Sequence, residues 1–148
     1  MTERGGGWVA AQFALMAVVA AGWVLPPRAS QPVRVAGTLL AAAGLVLVVW
    51  SYRTLGRSFS SFPAPRNDAD LVTDGPFGLA RHPIYGGGLT LFAGNSLAVG
   101  LSGLAGTAVL AVLWWHKARL EERLLAERYP GYGAYMLQVR RRFVPGLI

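Results

Sequence analysis

Thirty-two consecutive residues, Ile84 to Trp115, contain no Asp, Glu, Lys or Arg. As one helix they would run about 48 Å at about 1.5 Å per residue, well past the roughly 30 Å of a bilayer's hydrocarbon core. Gly100, Ser102 and Gly103 fall near the middle, so the run predicts a hairpin of two short spans, tilted or extended into the headgroup region. Two further uncharged stretches precede it: Trp8 to Leu25, closed by Pro26-Pro27, and Val33 to Tyr52, 20 residues long. The expectation is an all-α integral membrane bundle in one domain, with about four spans near 8–25, 33–52, 84–100 and 102–118, a loop at 53–83 and a tail at 119–148. With 53% hydrophobic and only 14% charged residues, the chain is poorer in charge than a soluble domain of this size. Arg4 before the first stretch resembles a secretory signal, but no small-residue cleavage pattern precedes Pro26 and a second span follows at once.

Four crossings put the amino terminus, the 53–83 loop and the tail on one side, and only the 26–32 connection and the hairpin tip on the other. Twelve of the 14 basic residues fall on the first side, leaving Arg28 and Arg34 on the second. Cytoplasmic segments carry the basic excess, so both termini are predicted to be cytoplasmic. Trp8, Trp50, Trp114 and Trp115 would lie at the inner interface and Trp23 near the outer one. All seven acidic residues also belong to the inner side. The net charge of +7 is spread between apolar runs, which favours anionic lipid headgroups over nucleic acid as the counter-surface. Leu120, Leu124, Leu125, Tyr132, Tyr135, Leu137 and Val139 predict an amphipathic helix along the cytoplasmic face, cut in two by Pro130-Gly131.

The ionisable residues gather in two places. Asp74-Gly75-Pro76 is a turn signal, and Pro83 suits the first turn of a helix, where its missing N–H costs nothing. Arg81 and His82 are then held at a helix start, where an anionic group is favoured; the alternative is a basic flank beside an interfacial histidine. Gly86-Gly87-Gly88 after Tyr85 permits either close helix packing or close approach of a ligand. Glu121 and Glu122 point about 100° apart on a helix, so they cannot form the tight facing dyad of a glycosidase. Either both pair with Lys117, Arg119 and Arg128 in a solvated zone, or one binds a cationic or hydroxyl-bearing ligand while the other orients an Arg. There is no cysteine, so disulfides, thiolate metal sites and a cysteine nucleophile are excluded. His82 and His116 are too few for a metal site, and no phosphate-binding loop or nucleophile elbow is present.

Leu71 to Phe77 (LVTDGPF), Arg81 to Tyr85 (RHPIY), Glu121 to Leu125 (EERLL), Tyr129 to Tyr135 (YPGYGAY) and Arg141 to Pro145 (RRFVP) occur in that order. Together they resemble the isoprenylcysteine carboxyl methyltransferase family and its relatives, the phospholipid N-methyltransferases, over roughly Arg53 to Gly146, about two thirds of the chain. The resemblance implies a membrane enzyme that binds S-adenosylmethionine between the last helical hairpin and the adjoining cytoplasmic segments, with a lipid-like methyl acceptor. Matched motif by motif, Arg81, His82, Pro83, Tyr85, Glu121 and Glu122 would hold the cofactor, and Gly56 is the counterpart of a Gly-x-Gly element in the phospholipid enzymes. Arg141 or Arg142 matches the family's arginine before the final proline. A carboxylate acceptor would be oriented by one of these arginines; an amine or thiol acceptor would need a base, for which His82 or a Glu is the candidate. The competing readings are a non-catalytic lipid-binding scaffold and an NADPH-dependent membrane reductase of related architecture.

Overall fold

The computed structural model describes residues 3–21, 29–99 and 102–143, and these are helical with no strand among them. The helices are α1 (Glu3–Ala21), α2 (Gln31–Leu55), α3 (Pro83–Val99), α4 (Ser102–Arg128) and the short α5 (Tyr132–Gln138). A 3-10 turn at Gly56–Ser58 ends α2, and a second, Gly75–Gly78, follows Asp74, where the turn signal lies. The expected Pro26-Pro27 closure, Trp23 belt position, Arg28 loop and Gly100 break, like Val144-Pro145 of the last motif, fall outside the described residues.

Glycine sets the tightest contact of the bundle. A β-carbon on Gly44 of α2 would sit 2.6 Å from the Gly87 carbonyl oxygen, and one on Gly94 of α3 would sit 2.6 Å from that of Gly37. The two backbones therefore touch, as small residues allow where helices have no water to exclude. Gly37 meets Gly94 while Gly44 meets Gly87, so α2 and α3 are antiparallel. Gly88 lies under Trp114 and Gly103 against Ser96, which makes α4 antiparallel to α3. On the far side of α4, Gln12 reaches Trp114 and Lys117 while Val19 packs on Gly106. The order across the bundle is thus α2, α3, α4, α1, and the start of α1, residues 56–82 and the tail share one end. Gly44→Val should cost on the order of 3 kcal/mol, since neither backbone can retreat without breaking the helix contact. Thermal unfolding in detergent checks this, with Gly133→Ala, where a β-carbon meets nothing within 4 Å, expected to melt like the parent.

Among the described residues one helix has the length and composition of a membrane crossing: α2 with its 3-10 extension, Gln31–Ser58, whose most apolar 18-residue window has a mean hydropathy of 2.0. Val35, Leu39, Val46 and Val49 are exposed on it, whereas its buried positions are Gly37, Gly44 and Ser51. A soluble helix would have the reverse pattern. The apolar part of α1, Gly6–Ala21, is shorter, α3 has 17 residues, and α4 becomes charged from Lys117 onward. Of the four expected crossings, length and hydropathy thus support one, α2, among the described residues. Past the expected end of the last span near 118, α4 continues unbroken to Arg128. The first half of the predicted tail helix is the end of α4, and Pro130-Gly131 marks the break as expected. Trp114 is corrected: it is buried against Tyr85, with ring centroids 5.1 Å apart, rather than standing at an interface.

Candidate functional site

Pro83 opens α3, and the carbonyl of His82 accepts the first helical N–H groups, from Tyr85 and Gly86, at 3.1 Å each. The N–H groups of Arg81 and His82 point the other way and donate to the carbonyls of Arg141 (2.9 Å) and Arg142 (2.7 Å). Arg81 adds two bonds from Nη1, to the carbonyls of Val139 (2.7 Å) and Arg140 (2.8 Å). The tail is thereby stitched across the start of α3. Phe143 then lies directly on Gly86, whose missing β-carbon would run into the Phe143 carbonyl. All three glycines of the triplet are packing positions, against Phe143, α2 and Trp114 in turn, and Gly88 also lines a cavity.

Glu122 is the hub of this junction. Its Oε1 accepts from Arg81 Nε at 2.8 Å and from Arg142 Nε at 3.0 Å, and its Oε2 accepts from Arg142 Nη2 at 2.8 Å. Burial works against its charge, yet His82, Arg142 and Arg81 outweigh burial and hold the carboxyl well below the usual carboxylate range. Arg142 is fixed further by the Trp115 ring, 4.4 Å beneath its guanidinium. Glu121, one residue earlier, faces differently: Tyr85 Oη donates to its Oε1 at 2.6 Å. His82 lies between the two acids, with Nδ1 at 3.4 Å from Glu121 and Nε2 at 3.4 Å from Glu122. The second contact is an ion-pair distance without hydrogen-bond alignment, so Nε2 is buried with no hydrogen-bond partner. Burial alone would lower the His82 pKa, but the two carboxylates raise it above the ordinary value. The anion expected at this helix start is supplied by the protein itself.

The remaining motifs brace the junction from behind. Tyr135 Oη donates to the Phe77 carbonyl at 2.7 Å, and Tyr129 Oη to that of Ala69 at 2.6 Å. Burial pushes the Tyr135 hydroxyl up to about 12, so it remains a donor throughout the physiological range. Segments 71–77 and 129–135 are therefore partners in one packing unit, built on buried Tyr132, Tyr135 and Val139.

In front of the junction is a cavity of about 340 Å³, at the lower end of the roughly 300 to 1,000 Å³ of small-molecule sites. Arg81, His82, Tyr85, Lys117 and Glu121 form its polar end; Met16, Val48, Phe59, Phe62, Leu91 and Trp114 are among its apolar walls. Of the residues expected to hold a ligand, Arg81, His82, Tyr85 and Glu121 line it. Pro83 and Glu122 stand behind it and position these four. Gly56 does not line it: with φ +50 it turns the chain out of α2, and its neighbours Leu55 and Ser58 reach the cavity instead. Arg141 is exposed and contributes its carbonyl, while Arg142 is taken up by Glu122 and Trp115. Neither of these two arginines, expected to orient an acceptor, lines the cavity.

Three contributions are not evident in the motifs. Lys117 is 1% exposed and donates to Gln12 Oε1 at 2.8 Å and to the Ser61 carbonyl at 2.9 Å, with Glu121 Oε1 at 3.8 Å. It is not part of a solvated zone. Gln12, from α1, is the second, and its one clue is being the lone amide in an otherwise apolar stretch. The third is the strap at 58–65, whose Phe62-Pro63-Ala64-Pro65 has the composition of a linker and whose Phe62, Pro63 and Pro65 wall the cavity.

The fold and site define a helical protein with one helix of membrane-crossing length and an apolar cavity closed at one end by a carboxylate, a histidine and cations. The chain is a member of the phospholipid methyltransferase family, a family of membrane methyltransferases, and matches it over residues 33–131. It is also 35% identical over 102 residues to the cobalt-zinc-cadmium resistance protein CzcN of Cupriavidus metallidurans. That overlap covers 66% of this chain and 45% of CzcN, so the chain spans less than half the length of that relative.

Proposed function

We propose that the protein is a multi-pass membrane methyltransferase, with both termini cytoplasmic, that uses S-adenosylmethionine and acts on a lipid-like acceptor. The observation that carries this reading is Glu121, a carboxylate at the polar end of an apolar cavity, held from two sides by Tyr85 and His82. The donor set fits the cofactor. Glu121 suits its cationic groups, the cations Arg81 and His82 suit its carboxylate, and the aromatic walls suit its base. When bound, the cofactor supplies an electrophilic methyl group on a sulfonium, open to in-line displacement by the acceptor.

The chain's own part is to position and to exclude water. Glu121 and Tyr85 fix the cofactor end, while the strap and α1 cover the cavity. Burial works against a charge on His82, but the two acids raise its pKa and so favour the protonated, hydrogen-bond-donating form over the free base. An acceptor that needs no proton removed, such as a carboxylate on an apolar tail, therefore suits the site better than an amine. The tail would enter between helices from the bilayer. Calorimetric titration of the detergent-purified protein tests the reading: saturable binding of S-adenosylmethionine, not displaced by NADPH, is expected. Folded protein that fails to bind it would favour the scaffold, and displacement by NADPH the reductase.

A further inference from the structure

Gln12 is 7% exposed on a helix outside the residues that match the family, yet its Oε1 meets the Lys117 ammonium at 2.8 Å and Trp114 Nε1 at 3.4 Å. Lys117 is one turn before Glu121, the spacing at which a lysine and a glutamate on a helix ordinarily pair. Here they stand 3.8 Å apart, because two of the three ammonium protons go to Gln12 and the Ser61 carbonyl. A buried ammonium must satisfy its donors. Deprived of Gln12, Lys117 has one charged acceptor within reach, and that is Glu121. A tight Lys117–Glu121 pair would cancel the carboxylate on which a cationic ligand group depends. We infer that Gln12 is a positioning residue, which diverts Lys117 from Glu121 and so keeps that carboxylate available to the ligand's cation. This rests on the cofactor reading given above.

The test is a double-variant cycle on the full chain in detergent, read by calorimetric binding of S-adenosylmethionine and by melting temperature. Gln12→Met keeps the length and apolar fit of the side chain and removes its amide, with it the acceptor of Lys117 and Trp114. It should weaken binding by about tenfold, the scale of one competing charge contact. Adding Lys117→Met to Gln12→Met removes the competitor and should restore affinity to within about threefold of the parent. A purely structural role for Gln12 would lower the melting temperature together with the affinity, whereas diversion of Lys117 lowers the affinity of protein that still melts near the parent. Parent-like binding by Gln12→Met overturns the inference, as does a loss that persists in a double variant whose melting temperature matches the parent. Should Gln12→Met not fold, Gln12→Leu removes the same acceptor on a shorter stem, and parent-like binding there is equally adverse. Absence of binding by the parent protein is a different result: it removes the proposed function, and this inference with it.

Discussion

Glu122→Ala should leave the protein barely folded, with a melting temperature lower on the order of 10 °C or more. The carboxylate neutralises Arg81 and Arg142 across three hydrogen bonds of 2.8 to 3.0 Å, and the side chains of Arg81 and Glu122 are each 9% exposed. Removing one partner of a buried pair costs about 3–5 kcal/mol, because the surviving charges are left without compensation, and each kcal/mol moves the midpoint by several degrees in a chain of this size. Thermal unfolding in detergent measures it, and a midpoint within about 2 °C of the parent would mean that the network is solvated after all.

The same network fixes the sign of the pH dependence. The carboxyl of Glu122 is held below its ordinary range, so its contribution is complete above about pH 4.3 and is lost only as pH falls through the depressed value. His82 is shifted the other way. Its contribution is complete below about pH 6.5 and fades as pH rises through the raised value. Stability should therefore be flat through mildly acidic pH and decline on the alkaline side. Glu122→Ala removes one of the two carboxylates that raise the His82 pKa, so in whatever variant protein folds the decline should begin at lower pH.

Much of this arrangement is legible in the sequence, for definite reasons. Proline admits few positions in a helix, so Pro83 fixes the start of α3 and Pro130 the end of α4. Charge-free runs must be helical where no water can satisfy the backbone, and that identifies α2. Adjacent residues on a helix cannot face one way, which separates the roles of Glu121 and Glu122 before any contact is known. The facing of a helix that is apolar on all sides is another matter. Nothing in Gly88 or Trp114 announces that one lies under the other, and without that contact Trp114 reads as an interfacial anchor. Lys117 looks solvated because its partners, Gln12 and the Ser61 carbonyl, are 105 and 56 residues away, and one of them is a backbone atom with no residue signature. Arg141 and Arg142 are indistinguishable by type. Only the path of the tail over Gly86 decides which guanidinium turns inward.

The division of labour between the twin acids has a consequence opposite to that of losing Glu122. Glu121→Gln should leave the melting temperature near that of the parent and weaken S-adenosylmethionine about a hundredfold, the worth of one charge-assisted contact in a partly dry site. The amide keeps an oxygen to accept the Tyr85 hydroxyl, so the bond that orients the side chain survives. What disappears is the negative charge on the one acid that lines the cavity. Glu122, one residue on, cannot substitute, because both of its oxygens are bound by guanidinium groups on the far side of the junction. Calorimetry and melting on the same preparation separate the two effects. Parent-like affinity in Glu121→Gln would remove the cavity carboxylate from the binding site, whereas lost affinity together with a collapsed midpoint would make the two acids a single structural unit. The expected pattern, an intact fold that no longer retains the cation, requires that the buried cluster hold one carboxylate for the protein and leave the other for its ligand.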